Sequence, residues 1–325
     1  MNGISPLRLV KTDPHAGTSR RTPPPLPGKP AILNLEEADR FKNLLLFAKS
    51  KVEGYFSGKH KSPYYGSNVE FADYQEYVPG EDISNLDWRV YGRTRKLFLR
   101  KYEEETDMVA YVLVDTSASM QFRGSGTDSK FQHAIKIAAV LAYLMTRQGD
   151  KVSLTLFAEK VRKFFPPGGT RKHLYHLVSE LEAAKPSART GIAASLNECA
   201  TVFKKRGCIV VISDFLGGTS DLFDALGQFI HRKYEVLLLQ VMDPDELELP
   251  STSVARFVDM ETGDHVEVEP EEIRRAYRDT MRQFTDALSA GANQRRIRYT
   301  SIETSDPYLS AIEAWIGFRA QRRVV

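Results

Sequence analysis

The apolar residues of the second half of the chain fall into short unbroken runs that alternate with amphipathic stretches. Four runs have the length and the β-branched and leucine content of buried strands: VAYVLV, VSLTLF, CIVVIS and YEVLLLQV. Helical three- and four-residue spacing follows them, at Lys130 to Arg147, Arg171 to Leu181, Gly191 to Lys204 and Asp221 to His231. The alternation predicts an α/β fold with a mostly parallel central sheet and helices on both faces. VRKFF, directly after VSLTLF, predicts an antiparallel edge strand.

The pattern becomes less regular after Asp243. The stretch VARFVDMETGDHVEVE has a Thr-Gly turn between two alternating runs and predicts a hairpin. A helix is expected from about Pro270 to Ala290, since proline favours the first turn of a helix. IRYTSIET then predicts a short strand. A closing helix should follow, with Asp306 as its cap and Pro307 at its first position.

The first hundred residues have a different composition. Residues 1–30, which end in TPPPLPGKP, predict a disordered or extended Pro/Arg-rich arm. Residues 31–105 predict a small α+β subdomain, with an amphipathic helix from Leu33 to Phe56 and then an aromatic-rich region of short strands and loops, KLFLRKY among them. Trp88 and Tyr77 in that region are expected to be packing anchors, because aromatic side chains bury large areas. Residues 106–325 then form the larger α/β domain.

Composition narrows the class of protein. The formal charge is +3, and the first 30 residues carry five basic side chains against one acidic one, which leaves about −1 for the rest. This balance argues against a nucleic-acid-binding protein. The cysteines, Cys199 and Cys208, have no metal-binding spacing and are expected to be buried thiols, which fits a reducing cytoplasm. No secretory signal and no run of about 18 apolar residues is present, so we expect no membrane span and a cytoplasmic location.

Oxygen-bearing side chains lie in three of the predicted loops. LVDTSASM places Asp115, Ser117 and Ser119 at alternate positions after the first strand, and Asp214 follows CIVVIS. Thr190 lies in the loop before a predicted helix. The carboxyl ends of parallel strands meet at one edge of a sheet, and Mg²⁺ prefers oxygen ligands, so these residues predict a metal site there. Two alternatives stay open: Asp115 as a simple helix cap, and Thr170 or Ser187 in place of Thr190.

DTSAS, the loop threonine and the aspartate of SDF resemble the metal-ion-dependent adhesion site of von Willebrand factor A domains. The resemblance implies a Rossmann-like A-type domain from about Thr106 to Glu303. It also implies that Mg²⁺ is the cofactor, with Mn²⁺ or Ca²⁺ as alternatives, and that a partner protein supplies a carboxylate to the metal. The implied ligands are Ser117, Ser119 and Thr190, directly or nearly so, and Asp115 and Asp214, largely through water.

The segment EFADYQEYVPGEDISNLDWRVYGRTRKLFLRKYEEET is similar to the hallmark of the bacterial domain-of-unknown-function 58 family, which precedes an A-type domain. The resemblance continues through the metal loop, MDPDELELP and METGDHVEVE, over most of residues 35–318. Two positions depart from the pattern: Glu81 replaces the usual first aspartate, and Ser84-Asn85 replaces a basic pair. The basic run from Arg89 to Lys101 is either a docking surface for an acidic partner or is neutralised by the acidic residues that follow it.

These resemblances imply a non-catalytic, Mg²⁺-dependent protein-interaction module that works as an adaptor with a MoxR-type AAA+ ATPase. The alternative is a metal-dependent hydrolase or phosphotransferase that uses the same acidic crevice. The sequence disfavours an enzyme, because it has no GxSxG nucleophile elbow, no P-loop and no second carboxylate two residues after Asp115.

Overall fold

The computed structural model of the protein describes residues 7–10, 71–77, 88–102, 108–187, 189–249, 255–259 and 265–322. The strands are β1 (Leu7–Val10), β2 (Phe71–Glu76), β3 (Phe98–Tyr102), β4 (Val109–Asp115), β5 (Lys151–Phe157), β6 (Val161–Gly168), β7 (Gly207–Ser213), β8 (Glu235–Met242), β9 (Ala255–Asp259), β10 (His265–Val268) and β11 (Arg298–Glu303). The helices are α1 (Trp88–Thr94), α2 (Lys130–Arg147), α3 (Arg171–Ala183), α4 (Ile192–Val202), α5 (Thr219–His231), α6 (Pro244–Leu247), α7 (Pro270–Gln294) and α8 (Leu309–Arg322).

The central sheet has six strands in the order β11-β8-β7-β4-β5-β6. Neighbours from β11 to β5 run parallel, and β6 pairs antiparallel with β5 at the edge. After β4 the chain adds β5 and β6 on one side, and it then crosses to the other side to add β7. The carboxyl ends of β4 and β7 therefore flank the point where the strand order reverses, which is where ligands bind in open α/β sheets.

Helices cover both faces of this sheet, as the unbroken apolar runs predict. One core cluster joins alternate residues of β4, such as Ala110 and Val112, to α2, α3 and α8. The other cluster joins the intervening residues, such as Tyr111 and Leu113, to α4, α5 and α7. All seven residues of β4 are buried. The fold is mixed α/β with a mostly parallel six-stranded sheet flanked by helices, and this prediction is confirmed.

The predicted elements of the larger domain are present, with shifts of a few residues at their ends. The α2 helix spans Lys130–Arg147 as predicted, because Ser129 and Gln132 form a capping box at its start. The α7 helix continues to Gln294, four residues beyond the predicted end. The closing helix α8 begins at Leu309 rather than at Pro307, because Asp306 accepts the backbone N–H of Glu303 in a turn that precedes the helix.

The predicted hairpin is formed by β9 and β10, which pair antiparallel. Residues Leu7–Val10 of the predicted arm add a third strand to it, antiparallel to β9. The sequence indicated an extended conformation as one of two states for the arm, but it gave no signal for this pairing. The amphipathic helix predicted from Leu33 to Phe56 lies outside the described residues.

The aromatic-rich region contains the predicted strand KLFLRKY as β3, which pairs antiparallel with β2. It also contains the helix α1, which the sequence pattern did not predict. The prediction that Trp88 is a packing anchor is wrong, since its side chain is 67% exposed, whereas Val90 on the same helix is buried. Tyr77 is half-buried. Among the helices of the described segments, none combines the length and the apolar character needed to cross a bilayer.

Candidate metal centre

Asp115 is the last residue of β4, and the chain turns sharply after it. The backbone N–H and the hydroxyl of Thr116 both donate to the carbonyl of Phe157 at the end of β5, at 2.7 Å each. A short 3-10 turn follows at Ala118–Gln121. The bonds from Thr116 tie the start of this loop to the neighbouring strand, so the residues after Asp115 stay at the carboxyl edge of the sheet.

The carboxyl group of Asp115 is completely buried and accepts hydrogen bonds on both oxygens. The backbone N–H of Ser117 donates to Oδ1 at 2.8 Å, and the hydroxyl of Ser213 donates to Oδ2 at 2.6 Å. Burial and the nearby Asp214 carboxylate raise the pKa of Asp115 to about 7, although these hydrogen bonds oppose the shift. A cation beside this group would stabilise its ionised form.

The hydroxyls of Ser117 and Ser119 meet inside the same loop. Both side chains are buried, and their Oγ atoms lie 2.9 Å apart. Neighbouring ligands in an octahedral Mg²⁺ shell, with Mg–O bonds of about 2.0–2.1 Å, lie roughly 2.8–3.0 Å apart. The spacing of the two hydroxyls therefore fits two adjacent positions around one magnesium ion.

Asp214 follows β7 in a turn whose backbone is held from several directions. Phe215 has a φ of 57°, in the left-handed region that costs about 1 kcal/mol or more for a residue with a side chain. Its N–H donates to the hydroxyl of Ser213 at 3.0 Å. The side-chain amide of Gln240 donates to the carbonyl of Asp214 at 3.0 Å, and Tyr299 donates to the amide oxygen of Gln240. These bonds hold the strained turn and direct the Asp214 carboxylate inward, where it is completely buried.

A buried lysine contacts this carboxylate. Nζ of Lys130 lies 2.8 Å from Oδ2 of Asp214 and 2.7 Å from Oε1 of Glu246. Burial alone would lower the pKa of the Lys130 ammonium, but attraction from the two carboxylates outweighs it and raises the pKa. Burial raises the pKa of Glu246 to about 7, with the attraction of Lys130 acting against the shift. Three buried carboxyl groups, counting Asp115, thus share this region with one ammonium.

Thr190 is half-buried and lies in the loop between α3 and α4. Ser187 of this loop donates its N–H to the carbonyl of Thr116 at 2.9 Å, and Gly191 donates to the carbonyl of Ala158 at 2.8 Å. Arg162 strengthens the attachment, since its guanidinium donates to the hydroxyls of Thr116 and Ser187 and to the carbonyl oxygens of Lys185 and Ser187. The loop is therefore held at the ends of β4 and β5, and the role of the Thr190 hydroxyl as a ligand stays a prediction. The hydroxyls of the two alternatives are engaged elsewhere: Thr170 caps α3, and Ser187 pairs with Arg162.

The alternative that Asp115 is a helix cap explains only some of the contacts of its carboxylate. Its carboxylate accepts one backbone N–H, that of Ser117. The long helix that follows is capped by Ser129 instead, and the short 3-10 turn has no side-chain cap. Capping does not account for the second bond, from Ser213, or for the neighbouring Asp214 carboxylate.

The donor set at the sheet edge consists of hydroxyls and carboxylates, which suits a hard cation such as Mg²⁺. Within the parts of the chain that the structure describes, no group of three or more His, Cys, Asp and Glu side chains is arranged to hold a metal ion. Binding of a divalent ion here would therefore depend on the hydroxyls of Ser117 and Ser119. The hydroxyl spacing, the inward-directed carboxylates and the excess of acidic groups all fit such an ion.

The residues that support the predicted ligands were not predicted from the sequence. Ser213 and Gln240 were read as parts of buried strands, and Lys130 as an ordinary first residue of a helix. A polar side chain in an otherwise apolar strand next to the site is a usable signal for Ser213 and Gln240. Glu246 gave no such signal, because its position in MDPDELELP does not reveal that it contacts Lys130.

Comparison with curated proteins finds uncharacterized relatives from mycobacteria. The chain is 28% identical over 230 residues to an uncharacterized protein of Mycobacterium tuberculosis, covering 70% of this chain and 71% of the relative. An uncharacterized protein of Mycobacterium bovis matches to the same extent.

Among solved structures, the chain is similar to a conserved hypothetical protein, BatB, from Bacteroides thetaiotaomicron. The identity is 18% and the TM-score 0.46, over 66% of this chain and 99% of that one. An aerotolerance-related membrane protein from Bacteroides fragilis aligns with 19% identity and a TM-score of 0.48, over the same shares of the two chains. The family model described as "Protein of unknown function DUF58" matches residues 73–286, which is more than half of the chain, and the protein therefore belongs to that family.

Proposed function

We propose that the protein is a non-catalytic, Mg²⁺-dependent protein-interaction module. The observation that carries the proposal is the 2.9 Å contact between the Ser117 and Ser119 hydroxyls, next to the buried carboxyl group of Asp115 at the carboxyl edge of the sheet. A pair of hydroxyls at this spacing offers two adjacent ligand positions, and the carboxyl groups supply the negative charge that a divalent ion requires.

The predicted ligands would contact the metal in two ways, directly and through water. Ser117 and Ser119 would bind the metal through their hydroxyls, with Thr190 as the third hydroxyl. Asp115 and Asp214 would act largely through water, since both oxygens of each carboxylate already accept hydrogen bonds from the protein. Mg²⁺ would supply a Lewis-acidic position for a carboxylate of a partner protein, and Mn²⁺ or Ca²⁺ could take its place.

The partner that we propose is a MoxR-type AAA+ ATPase or one of its clients, with this protein as the adaptor. The proposal rests on the resemblance of the DTSAS loop, the loop threonine and the SDF aspartate to the metal-ion-dependent adhesion site of von Willebrand factor A domains. A cytoplasmic location is part of the same proposal, and two free, buried cysteines are compatible with it.

The geometry gives less support to a metal-dependent hydrolase or phosphotransferase in the same crevice. A serine nucleophile must be accessible to its substrate, but the Ser117 hydroxyl is buried and pairs with the buried hydroxyl of Ser119. Mg²⁺-dependent turnover of a generic phosphoester or ester, lost in Asp214→Ala, would replace our proposal with an enzyme.

The proposal is tested by Mg²⁺ titration calorimetry and by a pull-down with the MoxR-type ATPase of the same organism, in Mg²⁺ and in EDTA. We expect the wild type to bind Mg²⁺ and to retain the ATPase only in Mg²⁺, and Asp115→Asn to lose both. Asp150→Asn is the control, because Asp150 is also a buried carboxyl group but pairs with Arg319 at the opposite edge of the sheet. Equal Mg²⁺ binding and equal ATPase retention by wild type and Asp115→Asn would contradict the proposal.

A further inference from the structure

Lys130 occupies an unfavourable position for a positive charge. It is the first residue of α2, directly after the N-cap Ser129, and its side chain is completely buried. The positive end of the helix dipole disfavours a cation at this end of a helix, and burial disfavours any charged group. The ammonium is retained here because Asp214 and Glu246 both accept from it, at 2.8 and 2.7 Å.

The contact with Lys130 occupies one oxygen of Asp214. Oδ2 accepts from the ammonium, and Oδ1 accepts the backbone N–H of Leu216 at 3.2 Å. The carboxylate is thus neutralised and oriented by the protein itself. A divalent cation at the Ser117 and Ser119 hydroxyls would share the charge of Asp214 with Lys130 and would be repelled by its ammonium.

The two carboxylates that contact Lys130 carry more negative charge than its one ammonium can neutralise. Glu246 is only 5% exposed, and its Oε2 atom has no hydrogen-bond partner within the segments that the structure describes. Removing the ammonium would therefore leave Asp214 and Glu246 buried beside Asp115 without the cation that they contact. Such a cluster attracts any cation that can enter it.

We propose that the Lys130 ammonium is the resident counter-ion of the candidate metal centre. It neutralises and orients Asp214 when no metal is bound, and its repulsion of a divalent cation keeps the affinity low enough for the metal to exchange. The inference rests on the proposed function, because the competing cation is the one proposed there. Lys130 is a positioning residue, since it orients Asp214 and does not itself bind the metal.

The test is Lys130→Met, which keeps the length of the side chain and removes its charge. Mg²⁺ affinity is measured by calorimetry, and the melting temperature is measured in EDTA and in Mg²⁺. We expect the variant to bind Mg²⁺ at least tenfold more tightly than the wild type, to melt at a lower temperature in EDTA, and to gain more from Mg²⁺. Lys136→Met is the control, because it removes a charge from the same helix, where Lys136 pairs with Asp128. This control should leave Mg²⁺ affinity unchanged.

A second pair of variants tests the same inference if Lys130→Met does not fold. Glu246→Gln is compared with the double variant Lys130→Met/Glu246→Gln, which lacks both charges of one ion pair and keeps the net charge of the wild type. Removal of the lysine should again raise Mg²⁺ affinity at least tenfold.

The outcomes separate this inference from the proposed function. Mg²⁺ binding by the wild type with unchanged or weaker affinity in the lysine variants would overturn the role of Lys130 and leave the proposed function standing. Binding by the lysine variants alone would support the role of Lys130 and contradict Mg²⁺ dependence of the natural protein. No Mg²⁺ binding by any of these proteins would overturn both.

Discussion

Ser213 donates its hydroxyl to Oδ2 of Asp115 at 2.6 Å, although the two residues are 98 positions apart in the chain. The contact exists because β4 and β7 are parallel neighbours in register, so that the residues after Val114 and Ile212 lie side by side. One hydroxyl therefore links the two loops that carry the predicted aspartates. It also accepts the N–H of Phe215, and so it takes part in both turns.

Replacement of Ser213 by alanine should weaken both the fold and the metal centre. We expect Ser213→Ala to lower the free energy of unfolding by about 1–3 kcal/mol, because a buried carboxyl group loses a donor, and to weaken Mg²⁺ binding several-fold. Ser153→Ala is the matched control, since Ser153 also donates from within the sheet, to the carbonyl of Phe165 at 2.7 Å. Urea unfolding and Mg²⁺ calorimetry compare the two. Equal losses of Mg²⁺ affinity in both variants would contradict the linking role of Ser213.

The loop that carries Thr190 should not tolerate a side chain at Gly191. A Cβ atom there would lie 2.3 Å from the carbonyl oxygen of Glu159, so the loop would have to move away from the end of β5. Gly191→Ala is expected to destabilise the protein by about 1–3 kcal/mol and to weaken Mg²⁺ binding.

A second glycine provides the control for this prediction. Gly227 in α5 has open space at its Cβ position, and Gly227→Ala should stabilise the protein by roughly 0.5–1 kcal/mol, because alanine is the better helix former. Its Mg²⁺ affinity should not change. Thermal unfolding and calorimetry measure both effects, and normal Mg²⁺ affinity in Gly191→Ala would show that this loop does not contribute a ligand.

His133 should make the stability of the protein depend on pH. The ring is buried, stacks on Tyr308 with centroids 4.6 Å apart, and has no hydrogen-bond partner for either nitrogen among the described residues. Burial lowers the pKa of His133 to about 4, the carboxylates of Asp128 and Asp306 act against the shift, and Lys136 adds to it. The unfolded chain, with a His pKa of about 6.5, therefore binds more protons than the folded one between roughly pH 6.5 and 4.

Stability should consequently fall as the pH drops through this range, by up to about 3 kcal/mol from this residue. His133→Phe keeps a stacked ring and removes the proton site, so its unfolding free energy should change less between pH 6.5 and pH 4 than that of the wild type. Parallel pH profiles for the two proteins would mean that folding does not lower the pKa of His133.

Periodicity was sufficient to predict the strands of the central sheet and the helices that cover it. Runs such as CIVVIS are apolar on both faces, which is typical of a parallel strand buried between two layers of helices. The α1 helix was missed, because seven residues with a glycine at Gly92 carry too little periodicity. The exposure of Trp88 was missed for a different reason: residue type indicates how much area a side chain can bury, but not whether a neighbour is present.

The candidate site was predictable where it depends on position along a strand. Asp115 and Asp214 each follow a buried strand, and parallel strands place their ends at one edge. The contact of Lys130 with Asp214 depends on packing between a helix and a turn that are distant in sequence, and no local pattern encodes it. The contact of Glu246 with Lys130 was not predictable from the sequence either, since Glu246 lies in α6, a single helical turn with Asp243 at its cap.

A divalent ion should bind between the hydroxyls of Ser117 and Ser119, beside the carboxyl group of Asp115. A crystal structure of the protein soaked in Mn²⁺, with anomalous diffraction data, tests this prediction most directly. We expect one strong anomalous peak within bonding distance of both serine hydroxyls, and its loss in Ser117→Ala/Ser119→Ala. No peak at this loop after a soak at saturating Mn²⁺ concentration, or a peak at another group of residues instead, would contradict it.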